Sequence, residues 1–216
     1  MHPFLYLSLS LRESFRIDAS CGLPHWDYIQ LTLYLEAALS LPSTAVILRL
    51  ATTNSQRMSI RDVINVFSKN SYILRKKTRP LNLANMNVQA EVKDLFHTAK
   101  ALQCLGLAAP QIGSQLRMFA MKDPFTGLVE MVINPVVVKK SRETLVDEEQ
   151  CLSIPKYAFL VNRSKYITVN YTDNYGNRIS NRTFEGLDAR VFQHEFDHLD
   201  GILASDRGSV VHVPYF

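Results

Sequence analysis

An α+β fold, with strands wrapped around one buried helix, is what this sequence predicts, and three observations predict it. Short apolar runs with turn punctuation recur between residues 116 and 184, as in antiparallel sheets. One helical periodicity precedes them. A second helix near the end carries Gln193-His194-Glu195-Phe196-Asp197-His198, a group of polar residues that a protein buries only for a reason.

The elements follow in order. Val88, Val92, Leu95, Phe96 and Ala99 recur at three- and four-residue spacing, so Val88 to Leu105 is read as a helix. Small residues and Pro110 stop it in Gly106-Leu107-Ala108-Ala109-Pro110-Gln111, read as a loop. Leu116 to Lys122 and Val129 to Ile133 are strands joined by a turn at Asp123 to Gly127, and Asn134-Pro135 breaks the pattern before Val136 to Val138. Glu148 to Pro155 is irregular. Lys165 to Tyr171 alternates as a half-buried strand, Asp173 to Asn177 is a hairpin turn, and Arg178 to Phe184 returns. Leu187 to Leu199 is the last helix, with Gly201 as its stop.

Before about residue 70 the chain carries no recognisable chemistry. The expected organisation is therefore an N-terminal extension over residues 1–71, targeting or partly disordered, and one catalytic domain over 72–216. Met1 to Ser20 has an apolar start and two arginines, Arg12 and Arg16, but also Glu13 and Asp18. A secretory signal would place its positive charge before the apolar run, so an organelle transit peptide and an ordinary extension are the two readings. Tyr28 to Ala51 is interrupted by Gln30, Glu36, Ser40, Pro42 and Arg49. It reads as an amphipathic helix, a turn and a short apolar element, and no membrane span is expected. A net charge of +4 over 216 residues is too small to argue for direct nucleic-acid binding. Cys21, Cys104 and Cys151 are odd in number and far apart, which suits free thiols in a reducing compartment.

On a helix, His194 and His198 lie one turn apart on a single face and can share one cation, with Glu195 beside the open coordination position. A catalytic metal needs a third protein ligand. Cys151, in an acidic polar loop, is either that ligand or a small buried core residue. Two imidazoles and a thiolate suit a borderline-soft divalent cation, Zn2+ or Fe2+.

Three segments, Gly106 to Gln111, Glu149-Gln150-Cys151-Leu152-Ser153 and Gln193 to Leu199, resemble in order and spacing the three signature motifs of the peptide deformylase family. The resemblance runs from about Tyr72 to Asp206. It implies a hydrolase that removes the formyl group from N-formylmethionine at the start of newly made polypeptides. It implies Cys151, His194 and His198 as ligands of one Fe2+ or Zn2+, and Glu195 as general acid and base. Gln111 and the backbone N–H of Leu152 are implied as oxyanion donors, and Gly106 as a source of backbone groups for the peptide. An apolar pocket for the methionine side chain is expected from Leu105, Leu187, Val191 and the ring face of His194. N-formylmethionyl peptides are the expected partners and the ribosome a candidate neighbour. A mitochondrion or plastid is the expected compartment, with the cytoplasm as the alternative.

Supporting roles are read with two outcomes each. Asp197 either orients a metal-bound histidine or caps and faces solvent. Glu149 and Arg163 either pair to pin the cysteine loop or are independent surface charges. Gln193 either steadies the first motif or faces solvent. The chain departs from the family at Cys104, Gln150 and Lys156, where glycine is usual, and the side chains at 104 and 150 are expected to narrow the cleft, alter peptide specificity or reduce rate. Those departures and the extension motivate an alternative reading, a weak or inactive relative that binds nascent chains or the ribosome. A zinc peptidase is less well supported, because only His212 follows the motif and peptidases of that type take a third ligand downstream.

Overall fold

The computed structural model describes residues 59–212. Helix α1, Met86–Leu102, begins two residues before the expected Val88 because the Asn85 side chain accepts the Asn87 N–H and caps it. It ends three residues short of the expected Leu105, since Gln103 takes a left-handed conformation at φ 53°. Val92, Leu95 and Ala99 face inward and meet Leu107, Met118, Ala120, Met131 and Ile133.

A five-stranded antiparallel sheet has the order β1-β2-β3-β6-β7. Its strands are β1 (Gly106–Ala108), β2 (Met118–Lys122), β3 (Val129–Lys140), β6 (Tyr166–Thr172) and β7 (Arg178–Glu185). The segment expected as a loop thus opens with a strand, Gly106 pairing with Met121. Three residues are too few to show an alternation. The expected break at Asn134-Pro135 is instead a bulge inside one twelve-residue strand. Asn134 takes φ 50°, its side chain brackets the backbone of Leu81, and the missing N–H of Pro135 falls where pairing is already interrupted.

A second sheet, order β4-β5-β8, is built from β4 (Thr144–Gln150), β5 (Tyr157–Ser164) and β8 (Gly208–His212). Part of it lies where an irregular segment was expected. Strand β4 is exposed along nearly its whole length, so it carries no apolar alternation.

Helix α2, Gly186–Leu199, lies against β1, β2, β5, β6 and β7. Ala189, Phe192 and Leu199 form its apolar face, with Phe192 edge-on to Phe119 at 5.0 Å. Its other side buries Arg190, Gln193, His194, Glu195, Asp197 and His198. The α+β architecture, with strands around the helix that bears the two histidines, is observed.

Residues 59–71 join this fold. The Ile64 N–H donates to the Gln111 carbonyl at 2.7 Å, and the Val66 N–H to the Ser153 carbonyl at 2.9 Å. The boundary expected after residue 71 therefore falls inside the folded unit. The joining segment is irregular and its apolar residues follow no period, so nothing marked it. The readings of Met1 to Ser20 and Tyr28 to Ala51 lie outside the described residues. Among the described residues no helix is long and apolar enough to cross a membrane.

Candidate metal centre

Strand β4 ends at Gln150 and releases Cys151 into a turn beneath α2. One ligand atom from each of Cys151, His194 and His198 lies within 4.8 Å of the others. Cys151 Sγ stands 3.3 Å from His198 Nε2, and the two imidazole rings cross nearly edge-on at 5.0 Å. Both alternatives for Cys151 hold together: it is 5% exposed, packed with Leu74, Phe159 and Leu203, and still in the cluster.

This donor set fits a divalent cation. His194 Nδ1 meets Glu149 Oε2 at 2.9 Å, which leaves Nε2 for a ligand bond. Burial opposes charge on His194, but its contacts with Cys151 and Glu149 outweigh that and raise its pKa to about 10, so a cation bound there would have to displace that proton. Burial drives the pKa of His198 well down, which keeps it neutral, as a ligand must be.

Glu195 follows His194 on the helix and is 4% exposed, and its Oε2 has no hydrogen-bond partner among the described residues. Burial pushes its pKa up to about 7; the His194 charge opposes this and the Glu149 charge adds to it. A carboxyl held near neutrality beside a metal-binding cluster can both accept and return a proton. Gly106 explains how it fits: a Cβ there would stand 2.3 Å from Glu195 Oε1. A side chain at this position would have to displace the Glu195 carboxylate, so the glycine leaves that group its place beside β1.

Gln111 is buried in a 3-10 turn over Ala109–Ile112. Its Oε1 accepts the Ala108 N–H at 2.7 Å, and its Nε2 donates to Ser153 Oγ at 3.2 Å and approaches Cys151 Sγ at 3.8 Å. Its amide thus spans the first and second motifs. Leu152 follows Cys151 with its side chain exposed. The expected apolar wall is less gathered. Leu187 lines a depression of about 200 Å3 with Leu145, Asp147, Lys165 and Arg190, and neither Leu105 nor Val191 lines it.

Glu149 and Arg163 do pair, both nearly fully buried, through two bonds of 2.9 and 3.0 Å. Burial works against the Glu149 charge, but hydrogen bonds from His194 and Arg163 prevail and hold its carboxyl at about 2. Among the described residues Asp197 orients no histidine. It accepts from Arg163 and from Arg207, so the carboxylate behind a ligand is Glu149. Gln193 neither steadies the first motif nor faces solvent: it bonds the backbone of Ser164 and the Ala189 carbonyl. Arg190 and Ser153 escaped notice. Arg190 lies one turn before His194 on the same face, a spacing legible in the sequence; Ser153, whose Oγ donates to the Ile64 carbonyl, had no such signal.

Of the three positions where glycine was expected, only Lys156 takes a left-handed backbone, at φ 72°. Cys104 and Gln150 adopt ordinary conformations, so their side chains bring no backbone strain.

The sequence model of the polypeptide deformylase family matches residues 63–212. A peptide deformylase of Pseudothermotoga lettingae is 42% identical over 134 residues, covering 62% of this chain and 76% of that protein. One from Chloroflexus aggregans is 34% identical over 165 residues, covering 69% and 88%. The crystal structure of the Thermotoga maritima peptide deformylase superposes with a TM-score of 0.61 at 38% identity, covering 69% of this chain and 98% of that one. That from Legionella pneumophila gives 0.62 at 33% identity, covering 70% and 87%.

Proposed function

The chain belongs to the peptide deformylase family, and from that premise we propose how its residues divide the work of removing the N-formyl group from newly made polypeptides. The protein is a hydrolase of protein biosynthesis whose substrates are N-formyl peptides. The observation that carries the assignment of roles is the convergence of Cys151, His194 and His198 within 4.8 Å, with Glu195 buried beside them.

Those three residues hold one divalent cation, Fe2+ or Zn2+, both of which accept a thiolate with two imidazoles. When bound, such an ion supplies Lewis acidity toward the formyl oxygen and lowers the pKa of water. Glu195 takes one proton from the attacking water as the water oxygen bonds to the formyl carbon. When the C–N bond breaks, Glu195 gives that proton to the departing amine, and formate is left. Its pKa near 7 suits both halves of this exchange. Gln111 Nε2 and the Leu152 N–H are donors for the charge that builds on the formyl oxygen. An extended peptide adds to the Gly106 edge of β1, which among the described residues has a strand partner on one side only. Leu105, Leu187 and Val191 flank the methionine side chain.

The alternative of a binding protein without chemistry is not favoured, since the ligand set and Glu195 are all present. Residency in a mitochondrion or plastid, and association with the ribosome, are proposed from the N-terminal segment and the kind of substrate. A fluorescent protein fused behind residues 1–71 that stays cytoplasmic would refute the first. The reaction is tested by formate release from a formyl-Met tripeptide, with metal content determined on the same sample. Turnover is expected with one ion bound, and Cys151→Ala should lose both; metal-loaded protein without turnover would refute the proposal.

A further inference from the structure

We infer that Arg190 is a positioning residue of the metal centre, acting through Glu149 on the ligand His194. The inference rests on Cys151, His194 and His198 being the ligand set. Arg190 is 7% exposed, and a buried guanidinium is costly unless its donors are satisfied. Its donors are spent on β4 and on the neighbouring strand β5. Nη1 donates to Glu149 Oε1 at 2.9 Å and to the Val161 carbonyl at 2.9 Å, and Nη2 to the Leu145 carbonyl at 2.7 Å. It thereby ties α2, which carries both histidines, to β4, which leads into Cys151, and to β5.

The carboxylate between them divides its acceptors. Glu149 Oε1 takes Arg163 Nε and Arg190 Nη1, while Oε2 takes Arg163 Nη2 and His194 Nδ1. Arg163 sits on β5 and could neutralise the charge alone. It also reaches α2, but through Asp197 beyond the ligand, so it does not reference the carboxylate to the turn that precedes His194. Arg190 supplies that reference, because it stands one turn before His194 on the same helix face. The helix that presents the imidazole thus also grips the group that sets the imidazole's tautomer and ring plane. A lysine at this position keeps the charge but offers a compact ammonium in place of a planar fork, so it cannot hold Glu149 and the strand carbonyls together.

The test uses the full chain loaded with Co2+, reading affinity by chelator competition and geometry by the thiolate-to-cobalt absorption band. Arg190→Gln is expected to weaken Co2+ binding about 10- to 100-fold and to shift the band, with Arg190→Lys recovering part of the loss. In a Glu149→Gln background the same Arg190→Gln change should add little, because its route to His194 is already cut. Wild-type affinity and spectrum in Arg190→Gln would overturn the inference. So would an equal loss in the Glu149→Gln background, which would mean that the arginine acts on the fold alone. Should Arg190→Gln not fold, Arg190→Lys carries the same cycle, with a smaller loss expected and the same two results overturning it. Wild-type protein that binds Co2+ without a thiolate band would instead remove the ligand set itself, and the role of Arg190 with it.

Discussion

Gly106→Ala is the sharpest perturbation available, because it adds one methyl group at a place where the structure measures the room. That Cβ would stand 2.3 Å from Glu195 Oε1 and 2.7 Å from both Cδ and Cγ. Ordinary contact for such atoms begins near ~3.5 Å, so the carboxylate must retreat by about 1 Å. It has little freedom to do so harmlessly, since Glu195 is buried on a packed helix. A displacement of about 1 Å in a catalytic group costs about 100-fold in rate, or about 2.7 kcal/mol of barrier. Gly106 does not use the left-handed region, so alanine brings no backbone penalty there and thermal stability should hold. Formate release should show kcat down about 100-fold, with KM and bound metal close to wild type. A raised KM at unchanged kcat would assign the glycine to the peptide backbone instead. Wild-type values of both would refute the steric argument.

Glu195→Gln should lower kcat by about 100- to 10,000-fold while the metal content, measured by atomic emission, stays near one equivalent. Arg163→Met strips a donor from both Glu149 and Asp197 and should cost about 3 to 5 kcal/mol in urea unfolding; a loss under about 1 kcal/mol would contradict the buried network. Burial, and then the Glu195 charge, push the Cys104 thiol up from 9.0 to about 11. Between those values the unfolded chain gives up a proton that the folded chain keeps, so this contribution is intact below pH 9.0 and lost as pH rises toward about 11. Urea midpoints should fall over that range, and Cys104→Ala should flatten part of the fall.

Much of the chemistry was legible because it is local. His194, Glu195 and His198 sit within one helical turn, and a helix of fixed pitch turns that spacing into a shared face. The alternation at 166–171 and the turn at Asp173 to Asn177 were legible for the same reason. Strand β4 was not, because an exposed strand rich in acids has no apolar period to display. The start of the folded unit was missed because residues 59–71 are held by partners far along the chain, Ser59 and Arg61 by Asp94, Ile64 by Gln111 and Ser153, and Val66 by Ser153. Asp197 was considered as the carboxylate behind a histidine because it is near in sequence, with a capping or solvent-facing role as the other outcome, and Glu149 was considered only as a partner of Arg163. The structure prefers the one 45 residues away.

By itself, then, the sequence determined the α+β class and offered the candidate ligand types and a carboxyl beside them, all properties of residue identity and short-range periodicity. Tertiary structure alone decided that Cys151 meets the histidines, that Glu149 rather than Asp197 orients one of them, and that Gly106 yields its space to Glu195. Those are distances between segments brought together by packing, and no local pattern encodes them.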